Sequence, residues 1–359
     1  MPEEIPFGEI PPEVLEKFAR LQQRETERVR RFCHVRAPIS LEMQGQRVVA
    51  VGSRIFWSPK WKTFHDFLVG YLTTVMGSEW GDAELKKPFQ ERHPIVHWYH
   101  GVCVLQQQTV KEAGQVYLAT ATGPVIAFMS LAYDLYTLEH HALFQRRMLT
   151  RLKHRDQFQG ARYETYVCAA FVRAGFDLVL EDETDTETSH CEFVATHKQT
   201  GSTYSVEAKS RHRPGYLGQA GAPRPLQEIK AEISRLLRRA LRKQANHDRV
   251  VFIDVNVPPI DRAGMESEFL PSVASEVDRL REGGSGEAPY PPAFIFFTNH
   301  PYHYVGTDAP DPGHSVLFTG LNIPEFKVGA GDPYRKYPAI KELFNSVLNH
   351  TNMPENFEI

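Results

Sequence analysis

The rhythm of apolar and polar residues changes once along this chain, near residue 155. Before that point apolar residues recur every three or four positions, the spacing of amphipathic helices. The segments that show it are "PEVLEKFARLQQRETERVRRFCH" (12–34), "FHDFLVGYLTTVMG", "IVHWYHGVCVLQQQTVKEA" and "GPVIAFMSLAYDLYTLEHHALFQRRMLTRLK". The interruption "QRVVAVGSRIFWS" (46–58) alternates instead and predicts a strand pair turning at Gly52-Ser53. After residue 155 helices and strands alternate. A helix over 160–175 ends at Gly175, and strands follow at 176–182, 191–198 and 203–210. Next come an amphipathic helix (225–245), a continuous apolar strand (249–257) of the buried, parallel kind, a helix (about 264–282) and a strand (293–299). The order α-β-β-β-α-β-α-β predicts an α/β (α+β) fold with a mixed sheet flanked by helices. Two domains are expected: residues 1–154, mainly helical with a small β-hairpin and no assignable role, and residues 155–359, whose C-terminal helix "YPAIKELFNSVLNHT" packs back on the sheet.

One strand carries chemistry. In "TYSVEAKSRHR" (203–213) the polar face ends in Glu207 and Lys209, two residues apart and so side by side. A turn centred on Thr200-Gly201 places Gln199 opposite Ser202 and Glu192 opposite Lys209, with Glu207 diagonally adjacent. Phe193, Ala195, Tyr204, Val206 and Ala208 then form the core face. Carboxylates this close repel, and Mg²⁺ or Mn²⁺ is the usual compensation in an oxygen-rich site. The lysine alongside can hold a water or steady charge on a phosphate. Glu164, on the helix that must pack against this sheet, is a candidate third acid. The plain alternative is an exposed strand face with a Glu192–Lys209 ion pair worth under about 1 kcal/mol.

Charge alters this picture locally. The formal net charge of −3 argues against a uniformly nucleic-acid-coating protein. Yet "SRHRPG" follows the motif directly, and the next helix presents Lys230, Arg235, Arg238, Arg239, Arg242 and Lys243 around a stripe of Ile233, Leu236, Leu237 and Leu241. "QRRMLTRLKHR" (145–155) adds a second cationic cluster. Four scattered cysteines argue against a structural zinc site and suit a reducing compartment. The acidic, proline-rich start does not read as a signal peptide, and the most apolar run is too short to span a bilayer and contains an aspartate. A cytoplasmic protein is expected.

Glu192 on one strand, Glu207-x-Lys209 on the next and Glu164 in "GARYE" together resemble the PD-(D/E)xK nuclease superfamily over roughly residues 155–300. The second-strand acid departs from that family's pattern, being glutamate after cysteine instead of aspartate after proline. The resemblance implies a restriction-endonuclease-like αβββαβ core and a metal-dependent nuclease with Mg²⁺ or Mn²⁺. Glu192, Glu207 and Glu164 would be the acids and Lys209 the catalytic lysine. DNA is the expected substrate, in a restriction, repair or defence setting. Arg211, Arg213, Arg235, Arg238, Arg239 and Arg242 are the expected contacts to nucleic acid. A homodimer, or a partner in a defence complex, stays open. The alternatives are an inactive module of the same fold that binds nucleic acid or protein, and an RNA-cleaving enzyme.

Overall fold

A computed structural model of the chain describes residues 11–143, 146–180, 191–212, 225–260, 264, 269–282, 289–324, 326 and 333–357. The first part is α1 (Pro12–Phe32), a three-stranded antiparallel sheet of β1 (Ile39–Met43), β2 (Gln46–Val51) and β3 (Arg54–Ser58), and then α2 (Phe64–Met76), α3 (Ser78–Leu85), α4 (Pro94–Thr109), α5 (Gly123–His140) and α6 (Arg146–Lys153). Thr63 and Asp66 form a reciprocal capping box that starts α2, each side chain accepting from the other's backbone N–H. The strand pair at 46–58 is present, and β1, which the sequence reading did not foresee, adds a third strand to it. The chain's most apolar run becomes α5, surrounded by other elements and buried along almost its whole length. Among the described residues no helix is long and apolar enough to cross a membrane.

The second part runs α7 (Phe158–Arg173), β4 (Phe176–Leu180), β5 (Phe193–His197), β6 (Thr203–Ser210), α8 (Leu226–Leu241), β7 (Asp248–Asp254), α9 (Leu270–Glu282), β8 (Ala293–Asn299), β9 (Ser315–Leu321), α10 (Pro333–Lys336) and α11 (Pro338–Leu348). The fold is mixed α/β, with a six-stranded sheet in the order β4-β5-β6-β7-β8-β9. The β6–β7 and β7–β8 pairs are parallel and the others antiparallel. Edge strand β9 is a further element that the sequence reading missed. The packing of the two parts is continuous across residue 154: the helical core takes in Phe158, Ala161, Tyr302, Met353 and Phe357 from the second part.

Strand alternation divides the sheet into two faces. Val206, Ala208, Val250, Phe252, Phe294 and Phe296 pack against α7 and α11. Val251, Ile253, Ile295 and Phe297 pack against α8 and α9. Glu207 and Lys209 alternate with Val206 and Ala208 and stand beside Val251 and Ile253, so they belong to the α8 face.

The hairpin register differs from expectation. His197 N–H donates to Ser202 O (2.9 Å) and Gly201 N–H to His197 O (2.8 Å), which closes a four-residue loop over 198–201. Gly201 takes the left-handed conformation there, φ +71°. The observed pairs are Phe193–Val206, Val194–Ser205, Ala195–Tyr204 and Thr196–Thr203. Glu192 lies just ahead of the paired residues: its N–H donates to Val206 O (2.9 Å), the partner of Phe193, and its side chain meets Lys209 at 2.9 Å. The slip moves each partner by two positions, so every side chain keeps its face.

Candidate active site

Four side chains meet on the α8 face of β6. Lys209 Nζ lies 2.9 Å from Glu192 Oε1 and 2.5 Å from Glu207 Oε1. Lys243, just beyond the end of α8, places its Nζ 3.0 Å from the same Glu207 oxygen and 3.6 Å from Glu192 Oε1. The two carboxylates are therefore no farther apart than two ion-pair distances laid end to end. Glu207 is only 1% exposed. Both lysines pair with its Oε1, and its Oε2 has no hydrogen-bond partner among the described residues.

Desolvation and charge pull these groups in different directions. Burial is the largest influence on Glu207 and, with Glu192 beside it, raises its carboxyl pKa despite the two lysines. Burial acts on Glu192 too, but Lys209, Lys243 and Arg151 outweigh it and hold that carboxyl below the usual carboxylate range. Lys209 would lose basicity through burial, and the two glutamates more than reverse this. It is a firmly held ammonium at neutral pH, suited to fixing charge and unsuited to acting as a base.

Glu164 does not join this group. It lies well inside α7, not in the opening turn, because the helix begins at Phe158. α7 covers the opposite face of the sheet, and there Arg151 of α6 grips Glu164 through both guanidinium ends. Among the described residues no set of three or more His, Cys, Asp or Glu side chains could hold a metal ion. The expected three-acid set is thus corrected to a two-acid one. Glu192 and Glu207 fit a divalent cation in the chemistry of the donors: two adjacent carboxylates, with the lysines gathered on Oε1 of each and the buried Glu207 Oε2 without a hydrogen-bond partner among the described residues.

The basic residues divide in the same manner. Arg235, Arg238 and Arg239 on α8, and Arg242 just after it, are exposed and line a groove of about 830 Å³ that α9 borders through Glu276 and Arg279. Lys243 lines that groove as well and so joins it to the acids. Arg211 is instead part of the framework. It is 3% exposed and donates to Val255 O, Asn256 O and Glu232, so the expectation that it meets nucleic acid is corrected. Arg213 lies outside the described residues. In the 145–155 cluster, Arg147 and Arg151 line a separate cleft of about 640 Å³ with Ser210 and His212.

Lys243 is the site residue that sequence reasoning missed. In the sequence it reads as one more cation of the helix. The available signal was its place directly after the buried stripe that ends at Leu241, where a short connection must return the chain to the sheet. No family model, curated protein or solved structure matches this chain.

Proposed function

We propose that this protein is a metal-dependent nuclease acting on DNA, built on a restriction-endonuclease-like core. The reading draws support from the order α7-β4-β5-β6-α8-β7, with an acid at the entrance to β5 and Glu-x-Lys on β6. The observation that carries it is the continuity between the buried acid pair and the arginine-lined groove, made by Lys243. A groove of this charge suits a phosphate backbone. Glu192 and Glu207 would hold Mg²⁺ or Mn²⁺, which when bound acidifies a water and neutralises charge on a phosphate. Lys209 keeps its proton and stabilises negative charge developing beside it. The α8 arginines position the backbone.

A second reading has one specific observation in its favour. Two lysines already balance the two glutamates, the arrangement expected of an inactive module that only binds. Supercoiled plasmid, single-stranded DNA and RNA incubated with Mg²⁺, Mn²⁺ or EDTA, alongside Lys209→Ala, separate the two. The nuclease cuts DNA only with metal, and Lys209→Ala slows cutting by roughly 10²-fold or more, the usual size for loss of a charge-stabilising group. Cutting that survives EDTA would sink the mechanism. Tight binding without cutting in any metal selects the inactive module.

A further inference from the structure

Lys243 belongs to two places at once. Its ammonium rests against Glu207 and Glu192, at 3.0 and 3.6 Å, yet its side chain remains 16% exposed along the groove shared with Arg235, Arg238 and Arg239. Lys209 is differently placed. It stands on the central part of the sheet, in register with Ile253, and does not line the groove. An ammonium on a four-carbon stem is a mobile point charge that can change partners without disturbing the fold. Lys243 extends from the chain just after α8, so it can move where a strand residue cannot.

We propose that Lys243 is an internal counter-ion that closes the Glu192–Glu207 pair to divalent cations until nucleic acid in the α8–α9 groove draws it away. The proposal rests on the metal-dependent reading of the site. Without nucleic acid, the cations along α8 repel the Lys243 ammonium, and the acids are its best partner. When a phosphate backbone occupies the groove, that repulsion becomes attraction. Lys243 then gains a partner outside the site, and the glutamates are left with one lysine between them and an excess of negative charge. A divalent cation enters this state more favourably than the closed one. Coupling between two ligands is reciprocal, so each tightens the other's binding by the same factor. The metal is thereby loaded where substrate is present, and the free protein is held idle.

Mn²⁺ binding to the full chain, followed by the electron paramagnetic resonance of free Mn²⁺, tests this. Titrations are run with and without a short duplex whose phosphorothioate linkages resist cleavage. The duplex is expected to tighten Mn²⁺ binding by about tenfold, inside the ~5–150-fold range of coupled sites. Lys243→Met is expected to bind Mn²⁺ about as tightly without duplex as the wild type does with it. Should that variant fail to fold, Lys243→Gln, uncharged and of similar length, takes its place with the same expected result, and a folded variant that still needs duplex for tight Mn²⁺ binding overturns the counter-ion role. Mn²⁺ binding that is equal with and without duplex overturns the counter-ion role and leaves the nuclease reading standing. Absence of Mn²⁺ binding under every condition overturns the nuclease reading and this proposal with it.

Discussion

Asp134 and Glu207 are both carboxylates at 1% exposure, yet their surroundings differ. Asp134, on α5, faces Arg162 at 2.7 Å and His350 at 3.2 Å, groups 3% and 1% exposed. Burial drives the His350 pKa down to about 3, so Arg162 supplies the one full positive charge of that trio. Its members come from α5, α7 and the segment after α11, and the cluster ties the two parts of the chain together. Glu207 faces two lysines that are 16–19% exposed, and one of them opens onto an arginine-lined groove. The two acids are equally buried, and their partners are not. What separates a structural charge from a candidate functional one here is whether its counter-ion has somewhere else to go.

The largest expected effect breaks the closed cluster. Asp134→Ala strands the Arg162 guanidinium in the core without its acid, and removing one partner of a buried pair costs about 3–5 kcal/mol. The shift of the urea midpoint at constant slope measures this. Lys243→Met should cost clearly less, because Glu207 keeps Lys209 and its new vacancy faces solvent. Equal losses in the two variants would erase the distinction drawn between the clusters.

Acid sharpens the comparison. Burial lowers the pKa of His93 and His350 to about 3 and of His141 and His314 to about 4. The folded values lie below the ordinary value near 6.5, so folding requires these imidazoles neutral. The stability tied to them is complete above pH 6.5 and is lost as pH falls from there toward 3–4. Between pH 6.5 and 5 the loss is at most about 2 kcal/mol per histidine. Glu207 works in the opposite sense: its raised pKa makes its burial easier as pH falls. Urea melts at pH 7, 6 and 5 should show steady loss, and His350→Gln should flatten the slope. A pH-independent midpoint over this range would contradict the neutral, buried histidines.

The elements were readable where one periodicity dominated. The α8 stripe of Ile233, Leu236, Leu237 and Leu241 and the apolar run of β7 announced themselves, and Glu207 and Lys209 could be put on one face because alternation does not depend on loop length. The exact partner of Glu192 was not readable, because a four-residue loop and a two-residue turn differ only in backbone hydrogen bonds at His197 and Ser202. Glu164 was misplaced for a related reason. Position along a helix does not say which face of the sheet that helix covers, and α7 covers the face opposite Glu207. Arg211 reads as a surface cation in sequence. Only the carbonyls of Val255 and Asn256, brought in by the end of β7, make it a framework residue.

The smallest expected effect concerns those arginines and tests whether the groove is the functional side of the comparison. If Arg238 and Arg239 meet phosphates, replacing either with alanine weakens binding of all sequences alike. Each replacement also lowers the dependence of log affinity on log salt by about one counter-ion. Arg211→Ala removes a cation of the same charge only a short distance along the chain, but from a buried position among carbonyls and Glu232. It should reduce stability and leave the salt slope of the folded protein unchanged. Fluorescence-anisotropy titrations of a labelled duplex at several salt concentrations give both slopes. A slope that falls for Arg211→Ala but not for the groove variants would move the nucleic-acid face away from α8 and remove the link, through Lys243, on which the site depends.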